Sequence, residues 1–127
     1  MLFTLLLPLF PVAGPTVADA PPVVVKCTPL AGSDDVDAAT VTEVRVTFSK
    51  AMTDKSWSWA TATDFGEELK PTGPVKFDKD GKTFVVPVKL KPGTTYAVWV
   101  NSDQFTNFRD AKGNAALPYL VVFQTKK

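Results

Sequence analysis

Beyond residue 20 no apolar pattern keeps a helical period for three turns. Short apolar runs instead recur between clusters of Gly, Pro, Asp and Ser, which is the punctuation of an all-β sandwich or barrel. The clearest run is Thr42 to Ser49. Val44, Val46 and Phe48 share one face and Glu43, Arg45 and Thr47 the other, as a strand with one buried side requires.

The same reading gives a first strand over Val23 to Thr28, followed by a loop of turn formers from Pro29 to Asp37. Ser56 to Thr61 carries Trp57 and Trp59 two residues apart, so both rings point to one side. Val75 to Phe77 and Thr83 to Val88 flank Asp78-Lys79-Asp80-Gly81-Lys82, where a Gly after Asp marks a hairpin turn with a bulge. Pro87 lacks a ladder donor, which predicts an edge strand or a bulge there. Leu90-Lys91-Pro92-Gly93-Thr94-Thr95-Tyr96 leads into Ala97 to Val100. A Tyr at the head of such a strand suits a tyrosine corner, its ring inside and its hydroxyl bonded to backbone upstream. Asn101 to Pro118 reads as a long loop and Tyr119 to Thr125 as the last strand. The count, about seven antiparallel strands, is that of an immunoglobulin-like β-sandwich of the constant type.

At 127 residues the chain has room for one such domain. Met1 to Gly14 carries no charged side chain and reads Leu2, Phe3, Leu5, Leu6, Leu7, Leu9, Phe10 and Val12. That run is shorter than the ~20 apolar residues a bilayer span needs, and it leads to the small-x-small pattern Ala18-Asp19-Ala20. Residues 1–20 are therefore expected to be a signal peptide, although Lys and Arg are missing from its start, and residues 21–127 the domain. The alternative is an apolar N-terminus that trails from the domain or packs into its core. With cleavage, no transmembrane segment is expected.

A net charge of +1 supplies no field to draw in nucleic acid. The chain has no His, the side chain that most often moves protons near neutral pH and ligates transition metals. Neither a Ser/His nor a Cys/His nucleophile can be assembled, and the adjacent carboxylates Glu67 and Glu68 do not build a glycosidase cleft. Catalysis is thus not expected, and no cofactor is implied. Cys27 is the only cysteine, which rules out an internal disulfide. Its strand parity with Val23 and Val25, opposite Val24 and Lys26, predicts an interior position.

Three ordered segments together resemble the bacterial Ig-like domain of the S-layer-protein type. The first is Thr28-Pro29-Leu30-Ala31-Gly32-Ser33-Asp34-Asp35-Val36 with Val44 to Met52. The second is Leu90 to Tyr96, and the third is Phe108-Arg109-Asp110-Ala111-Lys112-Gly113-Asn114 with Tyr119 and Phe123-Gln124-Thr125. The resemblance implies an extracytoplasmic sandwich, secreted, periplasmic or at the cell surface, that binds or spaces rather than catalyses. The opening is also similar to periplasmic copper-binding sandwiches. Those rely on His and clustered Met, whereas here His is absent and Met52 is the only Met beyond Met1.

Two sets of residues are candidates for a site. Trp57, Trp59 and Trp99 offer flat rings for a carbohydrate or a peptide, so the expected partners are proteins or cell-envelope glycans. The competing reading places at least one of them in the core, and Trp99, opposite in parity to Tyr96, Val98 and Val100, outside it. Asp78 and Asp80 resemble the start of a calcium loop, but the downstream bidentate carboxylate is missing and a plain hairpin turn accounts for both.

Overall fold

The computed structural model describes residues 14–127. It contains seven strands and, among the described residues, no helix: β1 (Val24–Thr28), β2 (Glu43–Phe48), β3 (Trp59–Thr61), β4 (Lys76–Phe77), β5 (Thr83–Pro87), β6 (Thr95–Val100) and β7 (Tyr119–Gln124). They form two antiparallel sheets of order β1-β2-β5-β4 and β3-β6-β7. This is the strand distribution of a constant-type immunoglobulin sandwich. Of the expected signal peptide, residues 1–20, residues 1–13 lie outside the described residues.

The alternation in β2 decides how the first sheet sits. Val44, Val46 and Phe48 are buried, and β5 answers them in register with Val86 opposite Val44 and Phe84 opposite Val46. On the facing sheet Tyr96, Val98 and Val100 of β6 and Val121 and Phe123 of β7 are buried and close the same core. Each fully buried Phe or Val removes enough apolar surface from water to contribute ~1.5 to 3 kcal/mol. Phe84 is the hub. Its ring meets Phe108 at 4.9 Å, Phe77 at 5.2 Å, Trp57 at 5.5 Å and Trp59 at 5.8 Å, within the range of favourable aromatic pairs.

Two expectations are corrected. Cys27 is buried as predicted, but Val23 and Val25 are exposed while Val24 packs against the core. The cause is a β-bulge. Val24 pairs with Phe48 and Lys26 with Thr47, so Val25 has no partner and the side-chain parity resets between Val24 and Cys27. Likewise Pro87 lies neither at a sheet edge nor at a bulge, because β5 runs between β2 and β4. The bonds from Phe48 N to Lys82 O and from Val88 N to Thr42 O set the β2–β5 ladder at every second residue, and Pro87, opposite Glu43, falls between them. Its missing donor points to the β4 side of the strand, where pairing stops at Val85 and the Thr72 N–H donates to Pro87 O.

The predicted turns are present. Gly81 adopts φ 69° and its N–H donates to Asp78 O, closing the β4–β5 hairpin. Tyr96 makes the tyrosine corner, its hydroxyl accepting the Lys91 N–H at 2.8 Å. The free edge of β7 is covered by the loop after β1: Gly32 N–H donates to Val122 O, Gln124 N–H to Ser33 O and Val36 N–H to Gln124 O.

Candidate functional site

The structure divides the three tryptophans between two places. Trp59 faces inward opposite Val100, half-buried, with its Nε1–H donating to Leu69 O at 3.2 Å. Trp57 lies beside it, 36% exposed, and both rings rest on Phe84. They act mainly as a lid where the sheets part between β3 and β4. Trp57 and Trp59 also border a shallow depression with Phe105 and Asn107, and Phe105 is exposed.

Trp99 lies on the other side of the second sheet. It pairs with Ala60 and Leu120 across β3 and β7, and its neighbours Val98 and Val100 turn into the core. Parity alone placed it there. Its half-buried indole lines a cleft of about 320 Å³ with Ser102, Asp103, Gln104 and Pro118. The three rings therefore do not form one platform.

The wall of that cleft is held from below. Asn101, buried and at φ 56°, uses both ends of its amide: Nδ2 donates to Phe108 O and Ala116 O, and Oδ1 accepts the Phe108 N–H, each at 3.0 Å. Asn is one of the few non-Gly residues that tolerate this backbone conformation. Next, Ser102 N–H donates to Phe105 O while Ser102 Oγ accepts the Phe105 N–H, closing a turn whose tip is Asp103 and Gln104. Both tip side chains are exposed. Sequence reasoning missed this turn, because Asp103 and Gln104 carry no motif and gain meaning only from Trp99 beside them.

Asp78 and Asp80 are occupied as hairpin residues. Asp78 Oδ2 pairs with Arg45 Nη2 at 2.5 Å, and its Oδ1 accepts the Lys79 N–H. Asp80 accepts from Lys82 N, Thr83 N and Thr83 Oγ1. Both carboxyls are held below the usual carboxylate range, first by the backbone N–H groups of Lys79 and Lys82 respectively, then by Arg45 for Asp78 and Thr83 for Asp80. Their oxygens are taken up by the turn, by Thr83 and by Arg45 of β2, and among the described residues no cluster of three or more potential metal ligands occurs.

The most constrained charge is Asp110, in the segment after Phe108. Its carboxylate is buried and accepts from Lys50 Nζ at 2.7 Å, Lys112 N, Asn114 N and Asn114 Nδ2. Burial alone would raise its pKa. The Lys50 ammonium and the Asn114 donors outweigh that and hold the group well below the usual carboxylate range. Lys50 Nζ also donates to Val17 O and Ala18 O, tying the residues before β1 to the same end of the sandwich. Lys50 and Asp110 were not read as a pair from sequence, because they meet only through the bridge between Met52 and Asp110.

The pattern of the family described as "Bacterial Ig-like domain" matches residues 18–125. No curated protein matches the chain. Among solved structures it is similar to the S-layer protein SbsC, in one structure of rSbsC(31-844) and in another of SbsC domains 1–6. Each is 24% identical with a TM-score of 0.53, covering 87% of this chain and 14% of the SbsC chain. At that identity the likeness shows the fold, and this chain spans about a seventh of the SbsC chain it matches.

Proposed function

This chain belongs to the bacterial Ig-like domain family, and from that premise we propose that it is a non-enzymatic module, exported and acting at the cell surface or in the periplasm by binding or spacing. The observation that carries the reading is the path of the chain through the sandwich. Leu117 N–H, just ahead of β7, donates to Pro22 O, just ahead of β1, so the chain enters at the end where β7 begins. It leaves at the far end of β7, where Lys126 N–H donates to Val36 O and Gly93 N–H to Lys126 O. The six residues of β7 separate the two points by about 20 Å. A rigid unit entered at one end and left at the other holds whatever adjoins it at a fixed separation.

Export is supported by the apolar, uncharged run of Met1 to Gly14. The absence of His and the use of Asp78, Asp80 and Asp110 as structural acceptors support a role other than catalysis. The test is fractionation of a bacterium expressing the C-terminally tagged chain, with intact-mass measurement of the product. Recovery outside the cytoplasmic membrane, shortened at its N-terminus, is expected. Full-length protein retained in the cytoplasm would overturn the export reading, and a hydrolase activity lost on replacing one carboxylate would overturn the non-enzymatic one.

A further inference from the structure

The cleft beside Trp99 brings an indole together with unpartnered polar side chains. One wall is an indole on a strand fixed by pairing on both sides, Ala60 on β3 and Leu120 on β7. The Ser102 to Phe105 turn lines the cleft as well, locked by two reciprocal hydrogen bonds and rooted in the buried Asn101 amide. On that rigid support the Asp103 carboxylate and the Gln104 amide stand exposed. Among the described residues neither side chain has a hydrogen-bonding or ion-pairing partner. Pro118 completes the lining with a second apolar surface.

We propose that this cleft is a binding site for one ring of a neutral sugar. A pyranose presents an apolar C–H face and a polar hydroxyl rim, and the cleft presents the same division: an indole and a proline ring for the face, and a carboxylate acceptor with an amide donor and acceptor for vicinal hydroxyls. Its lining contains no Lys or Arg, so a phosphate or an acidic sugar finds no counter-charge there. A volume of about 320 Å³ lies at the lower end of ligand-site sizes and suits one ring with the rest of a chain leaving through the open side. The rigid wall spares the ordering cost that a mobile loop carries on binding. Trp57 and Trp59 are separate from this site, since their rings are engaged with Phe84.

This site deepens the binding side of the proposed function and rests on it. The experiment is a titration of the isotope-labelled protein, followed by the three tryptophan indole N–H resonances, with cellohexaose, mannohexaose and the N-acetylglucosamine hexamer in turn. Binding by one ring in an open cleft is expected on the order of 1 mM. At least one sugar should shift the Trp99 indole and the backbone of residues 102–104 saturably, leaving Trp57 and Trp59 in place. Asp103→Ala/Gln104→Ala, a change confined to an exposed turn, should weaken that binding by about ten-fold or more. Trp99→Ala should abolish it, and the double variant keeps the test decisive if Trp99→Ala does not fold. No saturable Trp99 shift with any of the three sugars, shifts centred on Trp57 and Trp59, or binding unchanged in the double variant overturns the site. None of those results touches the export and spacer reading, which fractionation tests separately.

Discussion

Tyr96 closes the turn that leads into its own strand: its hydroxyl accepts the Lys91 N–H at 2.8 Å while its ring packs against Phe123 at 5.7 Å. One side chain thus ties the β5–β6 connection to the core. Tyr96→Phe keeps the ring and leaves the Lys91 amide without its acceptor. The expected cost is ~1 to 2 kcal/mol, read as a lower thermal midpoint with an unchanged circular dichroism spectrum. A midpoint equal to that of the parent protein would show that water replaces the hydroxyl.

Cys27 is buried, and desolvation pushes its thiol up to about 12, so the nucleophilic thiolate is scarce at neutral pH. The folded protein should resist a thiol reagent such as iodoacetamide at pH 8 and be labelled fully in denaturant. Stoichiometric labelling under native conditions would place the β1 bulge elsewhere and turn Cys27 outward.

Asp110 gives the fold an acid limit. Because its pKa is depressed by folding, its contribution is fully present above the unfolded value near 4 and is lost as pH falls toward the folded value. Thermal midpoints should therefore drop steadily below pH 4. Asp110→Asn should lower the midpoint by several degrees at pH 7, where it leaves Lys50 without its carboxylate, and should flatten the acid dependence. Parallel pH profiles of the two proteins would mean that other carboxylates set that limit.

Gly66 closes the turn after β3, its N–H donating to Ala62 O, and what requires glycine there is space and not a positive φ. A Cβ there would lie 2.8 Å from Thr95 O and 3.1 Å from Ala97 Cβ, and the contacted atoms belong to the paired backbone of β6 and a buried side chain. Gly66→Ala should destabilise by ~1 to 3 kcal/mol, seen as a lower urea midpoint. A neutral result would show that the segment between Ala62 and Glu67 can lift away from β6.

How much of this was legible follows from whether the information was local. β2 was readable because Glu43 to Phe48 alternates without a break, and Trp99 was placed outside by the same rule. The tyrosine corner and the Gly81 hairpin were readable because each is a short chain segment with its own turn chemistry. The β1 bulge was not, since nothing in Val23-Val24-Val25 marks which Val is unpaired. That is settled by the register against Phe48 and Thr47. Pro87 misled because its tolerance depends on where β4 begins rather than on β5 itself. In the candidate site the aromatic member was visible in the sequence, but its polar partners Asp103 and Gln104 were not. They become meaningful only when Asn101 and Ser102 fix a turn that lines the same cleft as Trp99.

The functional account depends most on the chain crossing the sandwich from one end to the other. Spin labels on cysteines introduced at Val23 and Lys127, with Cys27 replaced by Ser, measure this directly by pulsed electron resonance. The account predicts a single narrow distance distribution centred above about 20 Å, the length of β7. A distribution centred well below that, with both ends at one side of the sheets, would contradict it.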